Sequence, residues 1–196
     1  MFYFLRNLLA IVGLVVVIAA GYAMVKLQPS LTAISEFEDN AINVFADMGV
    51  KIVETGNMAE ASIWKIPVDE GMTAEDVEET MKFVANEHNF KNVGEMPLYR
   101  EVEAMSGEPY RYVKIFMFCN ALTASRMLDY NDAFSSYLPC RITLIEDMEG
   151  KLWLYTLNMD GMIYGGKPLP AELKKEAENV KEIILDIMNR GATGEF

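Results

Sequence analysis

The sequence predicts an α+β domain, an antiparallel sheet with helices on one face, carried behind a transmembrane helix and an amphipathic connector helix. Three observations predict it. Residues 8–25, "LLAIVGLVVVIAAGYAMV", form an uncharged apolar run. Residues 73–89 and 168–191 repeat apolar side chains at helical spacing. Between them lie short runs rich in β-branched and aromatic residues, separated by turn signals. The resulting order is β-α-β-β-α-β-β-α.

The chain divides into an anchor (1–29), a connector (30–60) and the α+β domain (61–196). The apolar run covers roughly 27 Å at about 1.5 Å per residue, close to the hydrocarbon thickness of a bilayer. A secretory signal cleaved near Gly21-Tyr22-Ala23 is the competing reading. Arg6 and the terminal amine precede the run, while only Lys26 follows it before Lys51. That imbalance favours a cytoplasmic N-terminus, so the expectation is a single-pass protein of the cytoplasmic membrane with its domain on the periplasmic or extracytoplasmic side.

Pro29 is expected to break the anchor helix and Ser30 to cap the connector. Ile34, Phe37, Ala41, Val44, Phe45 and Met48 recur at helical spacing up to Gly49, a predicted stop. "VKIVET" reads as a short strand and "GNMAEA" as a turn. Ala61–Val68 is the first strand of the domain. In residues 73–89, Thr73 with Asp76 resembles a capping pair, and Ala74, Val77, Met81, Val84 and His88 mark one face. "FKNVGEMPLYREVEA" reads as a second strand interrupted by Pro97, and "YRYVKIFMFCN" as a third, buried on both faces. A short helix and loop follow, then a hairpin turning near Glu149-Gly150. The last helix starts at Pro170, presents Leu173, Ala177, Val180, Ile184 and Ile187, and is expected to end at Gly191.

The stretch from "FCNALTASRML" through "YLPCRITLIEDMEGKLWLYTLN" resembles the family catalogued as domain of unknown function 302. The shared elements are Cys119-Asn120, the short helix at Thr123–Leu128, the Leu138-Pro139 step and the Glu149-Gly150-Lys151 turn. The resemblance covers roughly residues 61–191. It implies a fold similar to one half of the TATA-binding protein, and no settled activity. Many members carry Asn-Pro where this chain has Asn120-Ala121, and many lack one or both cysteines, so the resemblance does not make the thiols a shared catalytic apparatus.

Composition excludes some classes. With a net charge of −12, a nucleic-acid partner is not expected, because phosphate binding needs clustered Lys and Arg. Cys119 and Cys140 are expected at one end of the sheet on neighbouring strands. Three roles stay open for them: buried free thiols, a disulfide, or a redox, sulfur-carrying or metal-binding pair. No Cys-x-x-Cys motif occurs. His88 is the only histidine and is expected to be partly buried near a helix end, so no His-based metal site or triad is predicted. The methionines are scattered as gap-filling core residues, and Met159 with Met162 is the nearest approach to a copper pair. No cofactor is expected.

One loop stands out, with Asn158, Asp160, Gly165, Gly166 and Lys167 in a turn-rich stretch after the last strand. It lacks a phosphate-loop pattern and reads as a surface for a ligand or partner. The expected function is a membrane-anchored, non-enzymatic accessory module that docks a protein partner, a membrane complex or a small ligand. A homo-oligomer stays open. The alternative is a thiol-based redox or sulfur-carrier protein using Cys119 and Cys140.

Overall fold

The computed structural model describes residues 2–196; Met1, whose amino group enters the orientation argument, lies outside the described residues. Helix α1 (Phe2–Ile34) contains the apolar run. Its most apolar 18-residue window has a mean hydropathy of 2.7 and none of that window is buried, so by length and composition the helix can cross a bilayer. The expected break at Pro29 does not occur. Pro29 lies near the C-terminal end of α1, where its missing N–H removes a single helical bond. In that last turn the Thr32 hydroxyl donates to the Gln28 carbonyl at 3.0 Å.

The connector also departs from its expected span. Residues 35–40 form turns that lead into α2 (Ala41–Thr55), which runs through Gly49 and through the stretch expected as a strand. A glycine inside a helix costs about 1 kcal/mol, too little to stop a helix whose Ala41 and Val44 are buried. The stop is Gly56 at φ 65°, a left-handed conformation that favours glycine. The expected turn after it contains a short helix, α3 (Met58–Ala61), capped by the Asn57 side chain.

The domain contains β1 (Ile63–Pro67), α4 (Ala74–Glu87), β2 (Lys91–Met96), α5 (Leu98–Ser106), β3 (Val113–Cys119) and α6 (Ala121–Tyr130). A 3-10 turn at Asp132–Tyr137 leads to β4 (Cys140–Glu146), β5 (Leu152–Leu157), α7 (Asp160–Tyr164) and α8 (Ala171–Thr193). The five strands form one antiparallel sheet in the order β1-β5-β4-β3-β2. The hairpin turn lies where expected, with Gly150 at φ 81°. The second strand is shorter than expected: Pro97, which has no N–H for a ladder, ends it and stands as the cap of α5. Stacking of Tyr99 on Tyr112, with ring centroids 5.0 Å apart, fastens that helix to the sheet.

Alternation along the strands sorts the core. Phe116, Phe118, Ile142, Leu144 and Leu154 are buried on one face, packed with Val77, Met81 and Val84 of α4 and Ile184, Ile187 and Met188 of α8. Thr73 closes a full capping box with Asp76, as the spacing predicts. The other face of β3 is less buried than expected, with Ile115 and Met117 only half-buried. Gly191 does not end α8. It is buried within the helix, where an added Cβ would meet Met81 Cγ at 2.6 Å, and Gly194 at φ 72° is the cap. Gly191 is thus a close-packing residue.

Candidate functional site

Antiparallel pairing brings the start of β1 and β4 and the end of β3 and β5 to one end of the sheet. Two asparagines turn the chain there. Asn120 Oδ1 accepts from the Leu122 and Thr123 amides at 3.1 and 3.2 Å, so α6 starts immediately after β3. Asn131 Oδ1 accepts from the Ala133 amide at 2.9 Å and opens the 3-10 turn that returns to β4. Under this crossover lies a cavity of about 370 Å³.

The cavity is lined mainly by apolar groups. Met127, Met159, Met162, Ala177 and Val180 come from the helical layer, and Phe134, Tyr137 and Leu138 from the crossover. Ile115, Thr143, Tyr155 and Leu157 come from the opposite face of the sheet. Because neighbouring strand residues alternate faces, a lining drawn from both means that the cavity bends around the sheet's end. Its size and chemistry are those of a small-molecule site, which spans roughly 300–1,000 Å³ with few polar groups. Thr156, also in the lining, is satisfied by donating its hydroxyl to the Arg141 carbonyl at 2.7 Å.

Both cysteines line this cavity, at the same end of the sheet as expected. They are free. In the register, Phe118 rather than Cys119 stands opposite Cys140. Regular pleating therefore aims the two side chains at opposite faces, which disfavours a bond between them. Burial raises the Cys119 thiol. Burial, followed by the neighbouring Cys119, pushes Cys140 up to about 11. The Arg141 guanidinium acts to lower Cys140, but burial outweighs it, and burial alone acts on Cys119. Met159 and Met162, the candidate copper pair, are cavity walls beside Met127.

The candidate loop grips the chain itself. It is partly helical: Asn158 Oδ1 accepts from the Asp160 amide at 2.8 Å as α7 begins, and Asp160 pairs with Lys181 at 2.5 Å. The Glu38 amide donates to the Gly166 carbonyl at 2.8 Å, Lys167 pairs with Glu36, and Lys174 pairs with Glu38 at 2.5 Å. Gly165 closes α7, its amide donating to the Gly161 carbonyl at 3.1 Å. Asn158 and Asp160 also border a cleft of about 90 Å³ against α2. The loop thus holds the residues that follow α1, at the end of the sheet where the cavity lies. His88, expected partly buried, is exposed at the end of α4, with Nε2 2.7 Å from Asp186.

Sequence reading missed the aromatic crossover residues Phe134 and Tyr137, and it missed Arg141, Thr143 and Tyr155. The period-two pattern of "CRITLI" does put Arg141 and Thr143 on the face away from Cys140. What they border depends on pairing with β5 and on the path of the crossover, and no local signal carries either.

Comparison with known proteins gives a family and a fold. The family described as "Domain of unknown function DUF302" matches residues 64–191. The crystal structure of an uncharacterized conserved DUF302 protein from Bacillus stearothermophilus superposes with a TM-score of 0.53 at 17% identity. The match covers 65% of this chain and 96% of that one, a likeness of fold. No curated protein matches the chain.

Proposed function

The chain belongs to the DUF302 family, and from that premise we propose that it is a membrane-tethered, non-enzymatic module that binds a small, largely apolar ligand outside the cytoplasm. The observation that carries this reading is the cavity of about 370 Å³ with its mainly apolar lining. The unburied apolar α1 supports the tether. Contacts from Gly166, Lys167 and Lys174 to residues 36–38 hold the cavity end of the domain towards the anchor, within reach of molecules that partition into a bilayer. The raised thiols weigh against the sulfur-carrier alternative.

The methionines supply the test. The full chain, labelled at its methionine methyl groups and held in lipid nanodiscs, is titrated with 1-octanol and followed by NMR. The methyl signals of Met127, Met159 and Met162 are expected to shift. Those of Met105 and Met148, exposed and outside the cavity lining, are expected to stay. Equal response from all five, or none from the first three, would reject the reading.

A further inference from the structure

The cavity has a polar corner on the open face of the sheet. Arg141 and Thr143 lie two apart on β4, and Thr143 is the cross-strand partner of Tyr155 on β5. Two residues along a strand span about 6.7 Å and neighbouring strands lie about 4.8 Å apart, so the three side chains form one patch. All three line the cavity. None of their side-chain polar groups has a hydrogen bond or ion pair among the described residues, although the Arg141 carbonyl and the strand backbones are paired. Arg141 is an exposed cation with no acidic partner among the described residues, and it borders the apolar cavity.

We infer that the cavity takes a single-chain carboxylate amphiphile, its head held by Arg141, Thr143 and Tyr155 and its tail among Ile115, Phe134 and Met127. This inference rests on the ligand-binding reading above and names the ligand class. A guanidinium matches a carboxylate with two parallel donors, and such charge-assisted bonds are roughly twice as strong as neutral ones. The two hydroxyls add donors on the same side of the sheet. The apolar walls leave little for a second polar group to bond. A volume near the lower end of the small-molecule range suits one short chain better than a two-chain lipid.

The same methyl-labelled chain in nanodiscs tests it, comparing octanoate with 1-octanol at pH 7.5 and taking free concentrations from nanodiscs without protein. Octanoate is expected to bind at least tenfold more tightly than octanol. Arg141→Gln, a surface substitution, is expected to bring the two within threefold by weakening octanoate alone. The double variant Thr143→Val with Tyr155→Phe should weaken octanoate to a smaller extent. If octanol shifts the cavity methyls and octanoate binds no more tightly, or if its preference survives Arg141→Gln, the carboxylate inference falls and the apolar-site reading stands. If neither compound shifts them, both fall.

Discussion

Cys140 stands opposite Phe118 across the β3–β4 ladder, one position away from Cys119. The two thiols therefore share a sheet end and a cavity but belong to opposite faces. That offset decides their chemistry more than their proximity does.

Both cysteines are expected to be recovered as free thiols from the native protein by non-reducing peptide mapping. Cys140, pushed up to about 11 by burial, should alkylate far more slowly at pH 8 than an unperturbed thiol. Only about one part in a thousand is thiolate there, against roughly a quarter for a thiol of ordinary pKa near 8.5. Its rate should rise about tenfold per pH unit between 8 and 10. A pH-independent rate, or a Cys119–Cys140 bond in the map, would contradict the geometry.

Glu95 gives the acid limb of stability a named source. Burial alone would raise its pKa, yet hydrogen bonds from Lys114, Lys82 and Asn92 outweigh that and hold it at about 2. The distances are 2.8, 2.9 and 2.8 Å. A folded pKa below the unfolded value of 4.5 means the contribution is present above that value and is lost as pH falls towards 2. Glu95→Gln should cost about 1–2 kcal/mol at pH 7 after allowance for solvent screening, and little at pH 2. Urea titrations at the two pH values check this; an equal loss at both would remove Glu95 as the source.

Gly191→Ala tests whether packing outranks helix propensity. In an exposed helix this change would stabilise by about 1 kcal/mol. Here the new Cβ would lie 2.6 Å from Met81 Cγ and 3.6 Å from a Leu154 methyl. Overpacking costs about 1–3 kcal/mol, so the net expectation is a destabilisation of up to about 2 kcal/mol. Thermal unfolding of the variant beside the native chain reads it, and a raised midpoint would show that Met81 yields without cost.

The proposed topology has a direct test. If α1 crosses the membrane with the domain outside the cytoplasm, protease added to intact spheroplasts should degrade the domain. Protection until the cells are lysed would reverse the orientation. In the same assay on permeabilised cells, Lys167→Ala with Lys174→Ala should speed cleavage between residues 34 and 41, because both lysines pair with the connecting turn. The unfolding midpoint of the domain should move little, because the Lys167 pair is largely exposed and the Lys174 pair only partly buried.

The sequence by itself determined the elements whose information is local. The apolar run, the Thr73–Asp76 cap, the stripe Leu173–Ala177–Val180–Ile184–Ile187 and the Gly150 hairpin are written in periodicity and turn chemistry, and they appear where those rules put them. The four boundary glycines and prolines show the limit. Pro29, Gly49, Pro97 and Gly191 all signal a break locally, yet only Pro97 begins a new element: a glycine inside a helix costs about 1 kcal/mol, which the buried residues of α2 and α8 outweigh, and Pro29 removes one helical bond near the end of α1. The site was less legible than the fold. Cys119 and Cys140 could be assigned to one end of the sheet, but a single residue of register moves a side chain to the other face, and register is fixed by partners distant in sequence. The loop at 158–167 reads in the sequence as a turn-rich surface, and only the fold shows that it also holds Glu36 and Glu38 of its own chain. Arg141, Thr143, Tyr155 and the crossover aromatics meet around one cavity only because pairing and the path of α6 bring them together. Those contacts are long-range, so only the tertiary structure decided them.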